Sequence, residues 1–324
     1  MKSPHWIAKL LCRLTTATVA GIVASAAHAQ DTPVAIGMSG WTGFAPLTLA
    51  KEAGLFKKQG LDVSIKKIPQ KDRHLAIASG DIQCAATTVE TWIVWNANGV
   101  ATTQIFQLDK SNGADGMVVR PGINSIKDLK GKTVAASAPG TAPYFTLAWF
   151  LKQNGLSLKD VTIVNLEPQA AANAIIAGVA NLDAAMTYEP FLSAVRAKPE
   201  VGKIIATTLD YPMIMDTFGC TPKFLADNPK AAQGLANAYF EALALIQADP
   251  KKSFETMGAD VKQTGDAFEK SQNFLRWQDR AANQKFFAGE HAAFSQQAAE
   301  LLLEAGIIKQ VPDLTKLADT RFIK

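Results

Sequence analysis

Short apolar runs and longer stretches with helical spacing alternate along the first third of the chain. The first pair is a predicted strand from Val34 to Ser39 and a predicted helix from Leu47 to Lys58. Such alternation is typical of βα units on a mostly parallel sheet. The same pattern continues with strands predicted at 61–65, 82–87 and 103–108, and helices at 71–79 and 89–97.

The pattern starts again in the middle of the chain. Strands are predicted at 132–136, 161–165 and 182–186, with helices at 142–154, up to Gly178, and at 190–197. Two similar sets predict an α/β fold with two doubly wound lobes. The extended stretches 113–119 and 213–219 would be the two segments of the hinge. The predicted lobes are therefore 30–112 with 218–324, and 113–217. The mostly helical part after Pro222 is expected to pack on the first lobe.

The first 29 residues have the pattern of an export signal. Lys2, Lys9 and Arg13 precede an apolar run that ends in Ala27-His28-Ala29. This small-x-small ending predicts signal-peptide cleavage near Ala29 and a mature chain that starts at Gln30. A membrane anchor is the alternative, but the run is too short to span a bilayer comfortably. The mature protein is therefore expected in the periplasm.

Most of the formal charge of +4 comes from this signal segment. Subtracting its three cations from 33 Lys and Arg leaves 30, against 29 Asp and Glu, a net charge of +1. This balance gives no electrostatic reason to expect a nucleic acid or an anionic membrane as partner. Cys84 and Cys220 are too few for a disulfide scaffold. One bridge between them is possible in an oxidising compartment, although two reduced, buried cysteines are the favoured interpretation.

The familiar catalytic motifs are missing from the sequence. It has no phosphate-binding loop, no glycine triplet after the first strand, no nucleophile elbow and no His-Glu-x-x-His. His74 and His291 lie far apart in polar helical contexts, so surface positions are expected for both. We predict no catalytic residue, no metal site and no cofactor.

Candidate ligand-binding residues follow from the fold class, because ligands of open α/β sheets bind at the carboxyl ends of the strands. A tryptophan on the loop after the first strand could hold a cation over its indole ring. Helix capping alone would explain some of the polar residues, and hinge turns would explain the acids at the crossings. The candidates are Trp41, Thr42, Thr88, Glu90, Asp115, Thr141, Tyr144, Tyr188, Glu189 and Asp216. Trp92 and Trp95 are expected in the core.

With these residues assembled, the chain resembles the nitrate/taurine/aliphatic-sulfonate family of periplasmic solute-binding proteins. The resemblance rests on segments 46–56, 75–81, 126–134 and 177–185. It implies a type II periplasmic-binding-protein fold whose two lobes hinge shut on a ligand. It also implies a monomer that delivers a small solute to the permease and ATPase of an ABC importer, without catalysis. Enzymes of thiamine-pyrimidine synthesis are similar in fold, but the Cys- and His-rich segment expected of them is missing here.

The acidic candidates indicate a ligand different from the anions in the family's name. The candidate segments contain four carboxylates and no Lys or Arg, and burying carboxylates against an anion is unfavourable. An amine, a guanidinium or a urea-like amide would satisfy them. Ser111-Asn-Gly-Ala-Asp115 and Tyr188-Glu-Pro190 also resemble relatives found near urea or guanidine metabolism. Taurine or an alkanesulfonate, nitrate, an enzyme on this fold and a sensor subunit remain as alternatives.

Overall fold

The computed structural model describes residues 31–324, so the predicted signal peptide lies outside the described part. Eleven strands are found in this range. They are β1 (Thr32–Met38), β2 (Leu61–Lys67), β3 (Cys84–Thr88), β4 (Thr103–Ser111), β5 (Asp115–Val119), β6 (Thr133–Ala136), β7 (Thr162–Asn165), β8 (Ala184–Tyr188), β9 (Lys203–Thr207), β10 (Met215–Cys220) and β11 (Leu275–Trp277).

The helices alternate with the strands in the first two thirds and dominate the last third. They are α1 (Ala45–Glu52), α2 (Leu55–Lys58), α3 (Gln70–Ser79), α4 (Val89–Ala97), α5 (Ala142–Gln153), α6 (Pro168–Ile176), α7 (Phe191–Arg196), α8 (Pro222–Asp227), α9 (Pro229–Ala248), α10 (Pro250–Asp260), α11 (Gly265–Gln272), α12 (Arg280–Lys285) and α13 (His291–Glu304). Among residues 31–324, none is long and apolar enough to cross a membrane.

Most predicted elements are confirmed within a few residues. The predicted helix 47–58 is divided, because Gly54 adopts a left-handed φ of 71° and starts α2 afresh. The short strands β9 and β11 were not predicted. Both are edge strands, which need less apolar sequence than central ones.

Two sheets organise the fold, as the restart of the sequence pattern predicts. The six-stranded sheet has the order β11-β4-β10-β3-β1-β2, and the five-stranded sheet has the order β7-β6-β8-β5-β9. In each sheet the strands followed by helices run parallel, whereas the strands next to the crossings run antiparallel. This is the mixed α/β architecture that the resemblance implies.

The chain passes from one sheet to the other twice. It leaves the six-stranded sheet after β4 and enters the five-stranded sheet at β5, then returns between β9 and β10. The whole of β10 belongs to the six-stranded sheet, although it begins at Met215, before the predicted boundary at 217/218. The exact lobe limits therefore stay a prediction.

The C-terminal helices divide between two packing partners. α9 and α10 pack on α1 beside the six-stranded sheet, as expected. α13 instead packs against α4 and α5, and its Phe294 and Leu302 join a core with residues of the five-stranded sheet. The expectation that everything after Pro222 covers the first lobe is therefore only partly right.

Cys84 and Cys220 form a disulfide with an S–S distance of 2.05 Å. The favoured expectation of two reduced cysteines is wrong. The two residues lie opposite each other in the antiparallel pair of β3 and β10. Sequence spacing could not reveal this, because 136 positions separate them and only the sheet register brings them together.

Candidate functional site

A small buried cavity lies where the two sheets face each other. Its volume is about 20 Å³, which is room for about one water molecule. The loop after β1, helix α3 and strand β10 form one side, while β5, β8 and the start of α5 form the other. The lining residues are Ser39, Trp41, Phe44, Gln70, Arg73, Thr88, Asp115, Ala142, Tyr188 and Asp216.

Trp41 forms an aromatic wall of this cavity with a partner from the opposite sheet. Its ring meets Tyr188 edge to face, with ring centroids 5.3 Å apart and an angle of 80° between the planes. The Trp41 Nε1–H donates to both carboxylate oxygens of Asp109 at 3.3 Å. Gly43 makes this bond possible, because a Cβ at position 43 would overlap both the indole nitrogen and the Asp109 carboxylate.

Asp109 and Asp216 form a pair of buried carboxyl groups on neighbouring strands. Their Cα atoms are register partners between β4 and β10. Burial, followed by the charge of Asp115 for Asp109 and of Asp109 itself for Asp216, raises the pKa of both groups well above the ordinary range. Burial and the mutual repulsion of the two groups therefore favour the protonated form in this pair.

Asp115 and Glu90 add two further acids with unsatisfied oxygens. Asp115 Oδ2 and both carboxylate oxygens of Glu90 are buried without a hydrogen-bond partner. Burial raises the pKa of Glu90 to about 8 and that of Asp115 to about 7. Such orphaned groups are rare in native structures, so their concentration beside one cavity indicates a site prepared for hydrogen-bond donors.

One cation, Arg73 of α3, faces these acids. Its Nε donates to the Ile68 carbonyl oxygen at 3.0 Å and its Nη1 donates to that of Ala86 at 2.5 Å. The remaining Nη2 is buried without a partner. Burial lowers the pKa of Arg73 to about 10, so the guanidinium stays charged near pH 7. Arg73 lies outside the candidate segments, so the cavity has a basic residue that those segments do not contain.

Gln70, also on α3, connects the threonines of the site with the start of α5. Its Nε2 donates to the hydroxyls of Thr87 at 2.8 Å and Thr91 at 2.9 Å, and lies 3.4 Å from the hydroxyl of Thr88. Its Oε1 accepts from the backbone N–H of Ala142, the first residue of α5, at 3.1 Å. Polar groups from both sheets are thus joined through one side chain.

Thr141 does not cap α5 as expected. It occupies the N-cap position, but its hydroxyl donates to the Ala138 carbonyl oxygen at 2.7 Å. The second residue of the helix is Pro143, which has no N–H to offer. The start of α5 therefore presents fewer free donors than the sequence pattern predicts.

Three further candidates lie outside the cavity lining. Thr42 is buried with its hydroxyl unpaired, in the short 3₁₀ turn after Trp41. Tyr144 is only half-buried and packs on the core around the five-stranded sheet. Glu189 is fully buried but already paired, since it accepts from Arg196 Nη1 at 2.8 Å and from the Ser193 N–H at 3.2 Å.

The structure thus brings together Trp41, Thr88, Asp115, Tyr188 and Asp216 around the cavity, with Glu90 close behind.

Sequence reasoning missed Asp109, Gln70 and Arg73. A signal existed for Asp109, because it is a charged residue that directly follows the predicted strand 103–108. No such signal marks the other two. They lie in a polar helix, where a solvent-exposed position is the ordinary interpretation, and only the packing of α3 on the sheet turns them inward.

A much larger groove opens beside the same loop, at Gly40. Its volume is about 680 Å³, and α6, α7 and residues 260–263 line it. Lys67 and Asp260 close an ion pair there at 2.6 Å. The small cavity is the better candidate site despite its size, because the buried, unpaired polar groups converge on it.

The histidines and tryptophans give mixed outcomes. His291 is buried, not exposed, and its ring nitrogen Nε2 lies 3.2 Å from Gln104 Oε1. Burial lowers its pKa to about 4. Trp92 and Trp95 are buried as expected. Within the described residues, no group of three or more His, Cys, Asp or Glu side chains has a metal-binding arrangement.

Comparison with known proteins begins with a family model. The model described as NMT1/THI5 like matches residues 41–253, which is more than half of the chain and includes all the acids of the site. YtlA of Bacillus subtilis (strain 168), provisionally named a binding protein, is 25% identical over 213 residues. The match covers 63% of this chain and 63% of that relative's length.

Solved structures share the fold at low sequence identity. The alkanesulfonate-binding protein SsuA of Xanthomonas axonopodis pv. citri, bound to MOPS, superposes with a TM-score of 0.77 at 18% identity, covering 90% of this chain and 99% of that one. The periplasmic aliphatic sulphonate-binding SsuA of Escherichia coli superposes with a TM-score of 0.72 at 21% identity, covering 88% of this chain and 91% of that one. The periplasmic nitrate-binding NrtA of Synechocystis PCC 6803 superposes with a TM-score of 0.71 at 19% identity, covering 89% of this chain and 86% of that one.

Proposed function

The chain belongs to the NMT1/THI5-like family, and from this premise we propose that it is the periplasmic solute-binding protein of an ABC importer. Its ligand is a small nitrogen-containing organic solute: an amine, a guanidinium or a urea-like amide. The ligand binds in the cavity between the two sheets, and closure of the two lobes over it encloses the bound state.

The excess of buried carboxyl groups is the observation that carries the ligand class. Four acids, Glu90, Asp109, Asp115 and Asp216, surround the cavity or lie directly behind it. Within residues 31–324, Arg73 is the only cation in the cavity lining. Without a ligand, burial raises the pKa of all four groups above its ordinary range. A cation or a group rich in N–H donors would supply the bonds that these oxygens lack. It would also favour their ionised forms.

The shape of the site supports a small, flat ligand. A cavity of about 20 Å³ would have to widen even for a few non-hydrogen atoms, so lobe opening precedes entry. The crossed rings of Trp41 and Tyr188 offer an aromatic face to such a group. Planar cations stack on or over aromatic rings favourably.

A simple anion fits this site poorly. The start of α5 would be its natural seat, but Gln70 already accepts from the Ala142 N–H, and Pro143 has none to give. Each nearby carboxyl group that ionises would repel the anion as well. Nitrate and plain alkanesulfonates are therefore the weaker alternatives within the family.

Arg73 gives one observation in favour of taurine. Its buried Nη2 lacks an acceptor, and a ligand with both an amino group and an acid group could satisfy Arg73 and the carboxylates together. This second candidate differs from the first in a measurable way, because it requires the acid group of the ligand.

A thermal-shift screen on the mature protein tests the proposal. Guanidinium and urea at low millimolar concentration, methylamine, taurine, ethanesulfonate and nitrate would each be added at pH 6, 7 and 8. We expect stabilisation by one of the nitrogen-rich solutes. If the ligand is a cation, its affinity rises with pH, because Asp115 and Glu90 lose their protons between about pH 6 and 9.

Asp115→Asn and the exposed Asp266→Asn make a matched pair of variants. Only the first should weaken binding. Stabilisation by nitrate or ethanesulfonate and by no nitrogen-rich solute would reject the proposed ligand class. Stabilisation by taurine but not by methylamine would favour the second candidate. Turnover of any of these solutes would instead support the enzyme alternative, and binding without delivery to a permease would support a sensor.

A further inference from the structure

Gln70 has an unusual position, because one side chain bonds to elements of both sheets. α3 packs on β1 and β3 of the six-stranded sheet, whereas α5 follows β6 of the five-stranded sheet. We propose that Gln70 is the latch of the closed cleft, which holds the start of α5 against the threonine cluster at the junction of β3 and α4.

The geometry fixes the orientation of the latch. A backbone N–H only donates, so the atom that faces Ala142 at 3.1 Å must be the amide oxygen. The NH₂ group then points to the hydroxyls of Thr87 and Thr91, at 2.8 and 2.9 Å. Both ends of the amide are therefore used, and neither can turn without losing its partner.

A second bond crosses at the same place. The Thr91 hydroxyl, which accepts from Gln70, lies 3.3 Å from the carbonyl oxygen of Gly140, in the loop that leads into α5. Val94 of α4 also packs against Gly140, leaving no room for a Cβ there. In the closed cleft, the hydrogen bonds of Gln70 and Thr91 therefore connect α3, α4 and the start of α5 next to the cavity.

The latch also explains the selectivity of the site. When the cleft closes, the amide oxygen of Gln70 occupies the helix position that an anionic group would use, and Gln70 remains part of the cavity wall. In the closed state the neutral amide oxygen of Gln70 accepts from the Ala142 N–H, so no acid group of the ligand is needed there. This part of the inference rests on the proposed ligand class, whereas the latch itself does not.

Two substitutions separate the two ends of the amide. Gln70→Leu keeps a similar volume but removes the acceptor and the donors. Gln70→Glu keeps an oxygen for Ala142, and the threonine hydroxyls can turn to donate to it. The exposed Gln296 of α13, replaced by Leu, is the control.

The first readout needs no ligand. Hydrogen exchange with mass spectrometry on ligand-free protein, resolved to the Ala142 amide, should show exchange at least about tenfold faster in Gln70→Leu than in the wild type. Gln70→Glu should retain most of the protection, and Gln296→Leu all of it. Small-angle scattering should show a larger radius of gyration for Gln70→Leu. Equal exchange rates in the wild type and Gln70→Leu would overturn the inference.

The second readout is the affinity for guanidinium chloride at low millimolar concentration, by calorimetry. Losing the latch should raise the dissociation constant about tenfold, the effect of one or two neutral hydrogen bonds, through faster dissociation. Unchanged affinity in Gln70→Leu would also overturn the latch. If the wild type binds no guanidinium, that failure concerns the proposed ligand class, and the exchange and scattering results decide the latch by themselves.

Discussion

Glu90 offers the sharpest test of the acidic site, because replacing its ionisable carboxyl group should raise the free energy of unfolding of the ligand-free protein. Its carboxyl group is 1% exposed, and neither oxygen has a hydrogen-bond partner. Burial raises its pKa from 4.5 to about 8. The folded state therefore binds more protons than the unfolded state between these values, so stability falls as pH rises through this window and levels off above about pH 8.

The size of the effect follows from the same pKa values. A difference between 4.5 and about 8 corresponds to about 5 kcal/mol of lost stability above pH 8, and to about 1 kcal/mol at pH 5. Gln at position 90 keeps the shape and cannot ionise. Glu90→Gln should therefore match the wild type within about 1 kcal/mol at pH 5 and exceed its stability by up to about 5 kcal/mol at pH 8.5.

Differential scanning calorimetry is the suitable assay, since urea and guanidinium are candidate ligands and must not serve as denaturants. For a chain of this size, the expected rise in melting temperature at pH 8.5 is roughly 10 °C. The exposed Glu269→Gln is the control and should change neither value. Melting temperatures of wild type and Glu90→Gln that run parallel from pH 5 to 8.5 would refute the reasoning, because the carboxyl group would then be ordinary.

Three further predictions concern the groups around the site. Gly43→Ala should displace Trp41 from Asp109, because the added Cβ overlaps both. We expect a changed tryptophan emission spectrum and a melting temperature several degrees lower. An unchanged spectrum and melting temperature would contradict the contact. The double variant Cys84→Ala, Cys220→Ala should lose about 3 to 5 kcal/mol in free energy of unfolding, because the bridge closes a loop of 136 residues. Dithiothreitol should destabilise the wild type by a similar amount and leave the double variant unchanged. A wild-type melting temperature that does not respond to the reductant would argue against the bridge. Glu189→Gln should lower the free energy of unfolding by about 1 to 3 kcal/mol, since it weakens the pairing with Arg196. Its affinity for the solute should change less than threefold. A larger loss of affinity would indicate that Glu189 contacts the ligand.

Local sequence was sufficient for most of the scaffold. The alternating buried positions Val34, Ile36 and Met38 give β1 its face, and α4 begins and ends where its pattern predicts. The restart of strand and helix units is likewise a repeated local signal, and it predicts two sheets correctly. Glu90, Asp115 and Asp216 could be selected because charged residues at strand ends and crossings are exceptional there.

Other features were beyond the reach of local patterns. The choice of reduced cysteines was wrong because pairing depends on the register of β3 with β10, which joins residues 136 positions apart. His291 was expected on the surface because its neighbours in sequence are polar, yet α13 turns it against Gln104. Thr141 fails as the expected helix cap because its hydroxyl donates to the Ala138 carbonyl oxygen, while the N–H of Ala142 donates to Gln70 of α3.

The sequence by itself determined the order of strands and helices, the division into two sheets and the acidic character of the candidate site. These depend on periodicity and residue type, which are properties of neighbouring positions. Only the tertiary structure decided that Asp109 and Arg73 lie beside the same cavity as Trp41, that Gln70 bonds to elements of both sheets, and which carboxyl groups have raised pKa values. Burial and distance set ionisation and hydrogen bonding, and both arise from the packing of segments that are remote in the chain.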